Sequence, residues 1–431
     1  MSWREIQLGD GINVKHGFAF KGEFFASVGE CIVVTPGNFL ERGGFRVRDG
    51  KERFYLGDIP EDYMLAKDDL IVAMTEQGEG LLGSAARVPD DGRFLHNQRI
   101  GLVQVMDSDL LDKRFLYWAF NSSNVRAQIR GSATGAKVKH TAPERIRKVR
   151  LAVPDVPVQR AIASVLDAYD DLIATNQRRI QLLEDAARRL YREWFVHLRF
   201  PGNESVPVRN GVPKGWVDQT FGDVVNAVGG GTPSTSRSEY WNGEIVWVTP
   251  TDVTRNNCLV LLDSEKKITE AGLNNSSAKL IPAETILMTS RASIGYFALM
   301  DMPVCTNQGF ISILPRIGDS RMFLLFNLLA RVEEMKALAT GSTFKELSKK
   351  SFKALPILWP SHSVLVAFEE AVYPLIQQTR LIKRQSEQLR LARDLLLPKL
   401  MSGQLGVSRI VLPAWSSDAA INLLAKTNLK G

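Results

Sequence analysis

Residues 162–196, IASVLDAYDDLIATNQRRIQLLEDAARRLYREWFV, are the stretch that decides the fold. Leu166, Tyr169, Ile173, Asn176, Ile180, Leu183, Ala187, Leu190 and Trp194 recur at alternating three- and four-residue steps. That spacing is the seam of a long helix made to pair with another helix. A constant shift along the chain carries the pattern onto Val372, Leu375, Thr379, Ile382, Ser386, Leu389, Arg393, Leu396 and Leu400, within residues 368–403. This second seam is leucine-rich at every other position and polar between. Pro374 falls inside it and should kink the helix or mark its true start. Each helix would be roughly 50 Å long at 1.5 Å per residue. Two such helices, separated by far more sequence than a hairpin needs, look like a spacer.

Outward from the helices, the sequence is a duplication. Trp3, Leu8, Gly9 and Asp10 are answered by Trp216, Phe221, Gly222 and Asp223. IVVTPGNF, ending at Phe39, matches IVWVTPTDV around Thr249 and Pro250. DLIVAMT, ending at Thr75, matches ETILMT, ending at Thr289, and both read as buried strands that lead into a polar loop. His96-Asn97-Gln98-Arg99 matches Thr306-Asn307-Gln308-Gly309, and residues 135–154 align without a gap on 341–360. Each half is therefore a mixed α/β domain of about 150 residues followed by a long helix. The expected division is 1–155, a first helix 156–199, a linker 200–214, a second domain 215–360, a second helix 361–403 and a tail 404–431. The linker assignment rests on its Pro, Gly and Asn content. The helices should pair antiparallel, because each domain precedes its own helix and the linker leads from the end of the first helix directly into the second domain. The apolar residues of the tail are expected to pack back on the first domain.

Composition narrows the class. The 431 residues are 45% apolar and 23% charged, as in ordinary globular domains, with a net charge of +7 that suits a polyanionic partner without requiring one. Cys31, Cys258 and Cys305 are dispersed and odd in number, so neither a zinc site nor a disulfide framework is readable. With no signal-like opening and no membrane-length apolar run, a reducing cytoplasm is expected.

No catalytic constellation emerges. GEGLLG (78–83) fits a dinucleotide fingerprint, but Pro89, Asp90, Asp91 and Gly92 signal a turn where a helix is required. The run around Gly135 and Lys137 lacks phosphate-loop spacing. Asp263-Ser264-Glu265-Lys266 has no counterpart in the first half and reads as a solvated loop. His16, His96, His140, His197 and His362 are scattered, and no motif that would place an adenine for methyl transfer is present.

Polar loops at matching places carry the remaining signal. Gly230, Thr232 and Ser234 lie in GGGTPS, followed by Tyr240 and Trp241, where backbone amides can approach a phosphate. Thr289, Ser290, Arg291, Asn307 and Gln308 are of the types that read base edges, and the first half offers Thr75, Glu76, Gln77, Asn97, Gln98 and Arg99. For Asn97 and Asn307 a turn-stabilising role competes, because both halves keep them. Lys137, Lys139, Arg145, Arg147, Lys148 and Arg150 cluster before the first helix, and Lys345, Lys349, Lys350 and Lys353 before the second. The same basic cluster twice suggests phosphate contacts.

In this order and in two copies, the LGD opening, GGTPS with Tyr-Trp, SRASIG (290–295), TNQGF (306–310) and LLLPKLMSGQL (395–405) resemble the specificity subunit of type I restriction-modification systems. The resemblance covers nearly the whole chain. The first half departs from the pattern, with HGFAF in place of GGTPS and EQGEGLLG in place of SRASIG. It implies two target-recognition domains reading a split duplex DNA site, held apart by the paired helices. It further implies two docked methyltransferase subunits, with motor-nuclease subunits joining for cleavage. S-adenosylmethionine, ATP and Mg would then be bound by those partners and not by this non-catalytic chain. Leu166, Ile173, Ile180, Leu183 and Leu190, with Leu375, Ile382, Leu389 and Leu396, would form the seam. Two other classes stay open: a DNA methyltransferase or nuclease in its own right, and a helical scaffold whose domains bind protein.

Overall fold

The computed structural model describes residues 3–48, 50–76, 78, 80–135, 138–341 and 344–407. The chain divides into two compact units, Met1–Leu172 with Leu389–Gly431, and Ile173–Gln388. The cuts fall inside the long helices, so each unit holds one globular domain and a part of both helices.

In the first unit an antiparallel sheet runs in the order Ile12–His16, Ile100–Val105, Leu70–Ala73, Ala85–Arg87. Leu70–Ala73 reads LIVA and is buried throughout, which is why it lacks the alternation of a half-exposed strand. Leu70 and Val72 share a core with Phe115, Phe120 and Ile129 of two helices. Ile71 and Ala73 point the other way, into a core with Phe39 and with Ile32 and Phe94 of a second sheet. The helix Lys113–Phe120 starts where Asp112 accepts hydrogen bonds from the Arg114 and Phe115 amides.

The second unit repeats these layers. Its sheet runs Val225–Gly229, Phe310–Pro315, Ile286–Thr289, Phe297–Ala298. Ile286 and Met288 pack with Phe323 and Phe326 of the helix Arg321–Ala330, whereas Leu287 packs with Val246 and Val248. A parallel strand pair recurs in the side sheet of each unit, Ile32 with Phe94 and Trp247 with Cys305.

The strand register corrects one sequence match. Ala73 faces Ile100 as Thr289 faces Phe310, so Thr289 answers Ala73 and not Thr75. Short apolar runs slide freely against each other in an alignment, and only the ladder fixes the register.

The first long helix is Val156–Tyr191, 36 residues and about 54 Å long, closed by a π-turn at Arg192–Val196. The second is His362–Met401, 40 residues and about 60 Å. Pro374 neither starts nor ends it. Its ring is exposed and removes one hydrogen bond from the ladder. Val372 and Ile376 on either side are fully buried, and that packing keeps the helix continuous. Within the first unit, Ile162, Leu166 and Tyr169 share a core with Leu389, Leu396 and Leu400. Within the second, Ile180, Ala187 and Trp194 share one with Phe368, Val372 and Ile382, and Leu183, Leu190 and Leu375 pack against it. Start meets end in one unit and end meets start in the other, so the helices run antiparallel. Asp170 pairs with Arg393 in the first unit, and Trp194 stacks on Phe368 at 5.5 Å in the second.

The polar seam positions are satisfied internally. Thr379 Oγ1 donates to Leu375 O at 2.9 Å and Ser386 Oγ to Ile382 O at 2.9 Å. The domains grip the helices by ion pairs of opposite sense, centred on buried Asp167 in the first unit and buried Arg380 in the second. In the first unit, helix Asp167 accepts from Arg87, Arg114 and Trp118. In the second, helix Arg380 pairs with Glu284 at 2.9 Å and Arg384 with Asp301.

The stretch read as a linker is folded. Val208–Arg209 pairs with Val212–Pro213 across Asn210 and Gly211, both at positive φ, and buried Phe200 stacks on Trp216 at 5.5 Å. Of the tail, Leu405 and Val407 pack against the first core. Residues 408–431 lie outside the described residues.

Candidate nucleic-acid interface

Val225–Gly229, Phe310–Pro315 and Ile286–Thr289 end together, because Gly229 faces Ile311 and Thr289 faces Phe310. Three loops therefore leave one end of the sheet of the second unit, and a fourth joins them. The Gly231 amide donates to Thr306 O at 2.9 Å, and Thr232 Oγ1 to Gln308 Oε1. The Ser290 amide donates to Gly309 O at 2.8 Å and the Ala292 amide to Lys345 O at 2.9 Å. Residues 340–346, TGSTFKE, close through a bridge between Thr340 and Glu346, and Glu346 also bridges Arg291.

The first unit carries the same lacing with other side chains. The Phe18 amide donates to His96 O at 2.8 Å, Met74 N to Arg99 O at 2.9 Å and Glu76 N to Lys139 O at 3.0 Å. Residues 134–140, TGAKVKH, close between Thr134 and His140, and His140 also bridges Thr75. HGFAF thus does occupy the place of GGTPS. Thr75 and Glu76 answer Arg291 and Ala292, two residues from where the sequence match put them.

The glycines have a steric reason. A Cβ on Gly230 would lie 2.1 Å from Asn307 O, and one on Gly17 would lie 2.0 Å from Asn97 O. The loop is also pinned from within, Trp247 Nε1 donating to Gly231 O at 2.9 Å and Trp241 Nε1 to Ser234 O at 3.1 Å. Close backbone packing against the Asn-Gln turn accounts for Gly230. Thr232 and Ser234 are left exposed.

Asn97 Oδ1 accepts from the Arg99 amide at 3.0 Å and Asn307 Oδ1 from the Gly309 amide at 2.9 Å. Both asparagines thus brace their turns, and Gln98, Arg99 and Gln308 stand exposed beside them. Thr75, Thr289 and Ser290 are buried. Thr289 Oγ1 is consumed by Ser293 O and the Tyr296 amide, closing the loop, so these three side chains do not face solvent as the sequence reading expected. Arg291 is exposed, with Glu346 3.9 Å away. Gln77 and Lys137 lie outside the described residues.

Of the basic clusters, Lys139, Lys345 and Lys349 are exposed, and Lys349 Nζ reaches over Gly229. Arg145 is a brace instead, donating to Ser132 O and Thr134 Oγ1 at 2.9 Å. Arg147 lies 3.5 Å from Glu144 and Arg150 3.3 Å from Glu5, so their charges are shared. Two residues that the sequence reading passed over, Val138 and Phe344, project from the tips of the matching loops at 41% and 58% exposure. The shared TG-x-x-x-K pattern was the available signal for them.

His96 sits fully buried beneath the first turn, where the second unit has Thr306. Its Nε2 lies 2.8 Å from Ile100 O, and burial holds its pKa down at about 4. It is a neutral interior group. Among the described residues no three His, Cys, Asp or Glu side chains converge as metal ligands, and no helix is long and apolar enough to cross a membrane.

A family described as the type I restriction modification DNA specificity domain matches residues 1–185 and 213–390. The chain is similar to the type I restriction enzyme MjaIX specificity subunit of Methanocaldococcus jannaschii, at 39% identity over 152 residues, 35% of either chain. It is similar to the HindI specificity subunit of Haemophilus influenzae at 23% identity over 322 residues, 60% of this chain and 70% of that one. The first match thus spans about a third of the relative's length. A crystal structure of a type I restriction-modification S subunit from M. genitalium aligns with a TM-score of 0.57. The alignment covers 93% of this chain and 96% of that one at 17% identity, a likeness of fold.

Proposed function

The chain belongs to the type I restriction modification DNA specificity family, and from that premise we propose that it is the sequence-reading, non-catalytic subunit of a type I restriction-modification assembly. One observation supports this most: both units build the same laced loops at the same end of the same sheet, and dress them differently. Arg291 and Ala292 occupy the positions of Thr75 and Glu76, and Gly309 that of the exposed Arg99. A shared scaffold with divergent exposed chemistry suits two domains that each read a different half of one duplex site. Gln98, Arg99 and Lys139 would read or hold one half, and Thr232, Ser234, Arg291, Gln308, Lys345 and Lys349 the other. The paired helices act as the spacer and as the docking place for methyltransferase subunits, joined by motor-nuclease subunits. S-adenosylmethionine, ATP and Mg belong to those partners, and the assembly works in the cytoplasm.

Duplex binding by the full chain, measured across salt concentrations, tests this. Each neutralised phosphate contributes a slope of about −0.9 in log affinity against log salt. A steep negative slope with a preferred sequence is expected. A slope near zero removes DNA as the ligand, and methyl transfer by the purified chain alone removes the non-catalytic reading.

A further inference from the structure

Phe344 and Val138 occupy the same place in the two halves, at the tips of TGSTFKE and TGAKVKH. Each loop is narrowed by a glycine at positive φ whose missing Cβ lets a carbonyl approach. On Gly341 a Cβ would stand 2.3 Å from Phe344 O, and on Gly135 it would stand 2.1 Å from Val138 O. Beside these close approaches Val138 and Phe344 both stand exposed, Phe344 at 58%. The exposed ring keeps apolar surface in water that a ligand would cover. Around it stand exposed Lys345, which is anchored through its carbonyl to the Ala292 amide, and Arg291, which is bridged to Glu346.

We propose that Phe344, and less strongly Val138, is a wedge that enters the base stack of the bound duplex beside the residues that read it. The proposal rests on the reading of these loops as a DNA interface. Cations flanking an apolar tip suit phosphates flanking a base step, whereas a protein groove would be expected to continue the apolar surface. Apolar side chains inserted between base pairs unstack and kink the step, and an aromatic ring can also stack on the exposed base. Phenylalanine supplies both effects and valine only the first. The two half-sites are therefore deformed unequally, the one read by the second unit more.

The experiment uses the full chain and a duplex selected by it from random sequence, with 2-aminopurine placed in turn at each adenine. Binding is expected to raise fluorescence at one step of the half-site read by the second unit. Phe344→Ala should abolish that rise and weaken binding about tenfold, equivalent to about 1.4 kcal/mol, with the preferred sequence unchanged. Phe344→Trp should restore the rise, which separates insertion from a folding defect. Identical fluorescence profiles for the wild type and Phe344→Ala overturn the wedge. So does a Phe344→Ala chain that binds DNA normally but no longer captures methyltransferase, since the tip is then a protein contact. A wild-type chain that selects no duplex at all overturns the DNA reading itself, and the wedge with it.

Discussion

The imidazole of His96 has Nε2 2.8 Å from Ile100 O and, among the described residues, no partner for Nδ1, so a second proton would bury a charge without a counter-ion. Its pKa of about 4 lies below the ordinary 6.5. A depressed histidine contributes stability above pH 6.5 that is lost as pH falls through 6.5 towards 4. The loss amounts to about 3 kcal/mol, because in that window only the unfolded chain takes up the proton. His96→Thr, the residue the second unit uses, should flatten the decline in urea midpoint between pH 7 and 4.5. Equal pH slopes for variant and wild type would refute this. Sequence left Asn97 between base reading and a turn-bracing role, and gave no means of seeing that His96 lies beneath that turn. Spacing along a chain does not report depth. The same gap explains Thr289 and Ser290, whose residue types suit base edges and whose placement in a buried strand end withdraws them.

At the scale of elements, the first seam was readable because apolar side chains occupy nearly every contact position, and Leu166, Ile173, Ile180 and Ala187 are all buried. The second was less so, since Thr379 and Ser386 hide their hydroxyls on the preceding turn and behave as small apolar residues. Ile376, fully buried, was missed because the shift from the first helix lands beside it. The pairs Asp170–Arg393 and Trp194–Phe368 set residues 172–178 opposite 385–391. Among the described residues neither segment hydrogen-bonds a globular domain, whereas Glu184, further along the first helix, accepts from the Leu259 amide and must be kept. Removing residues 172–178 and 385–391 together preserves the seam and shortens each helix by about 10 Å at 1.5 Å per residue. At about 3.4 Å per base pair, the preferred gap between half-sites should shrink by roughly three base pairs. Selection from duplexes with both half-sites at every spacing measures this, and tight binding at the original spacing would end the spacer idea.

At the scale of the whole molecule, each unit keeps its own core, its own sheet and its own four laced loops. Exchanging residues 215–356 for the matching region of a relative should therefore change one half of the recognised sequence and leave the other. Methylation mapping with the reconstituted complex reads the result, and a change in both halves would refute independent reading. The grips on the helices favour such an exchange only between relatives that keep the partners of Arg380 and Arg384. A second domain lacking acids at the places of Glu284 and Asp301 would leave Arg380 buried without a counter-charge, a loss of about 3–5 kcal/mol.

By itself the sequence determined the duplication, the two mixed domains and the long helices, and it favoured their antiparallel pairing. All of these follow from periodicity and order along the chain, which local chemistry writes directly into residue types. Tertiary structure decided what periodicity cannot carry: the two-residue register shift that equates Ala73 with Thr289, the continuity of the helix through Pro374, and the fold of the supposed linker. It also decided which polar residues face out. Hydrogen-bond ladders and packing between distant segments fix those choices, and neither partner of a long-range contact carries the contact in its own sequence.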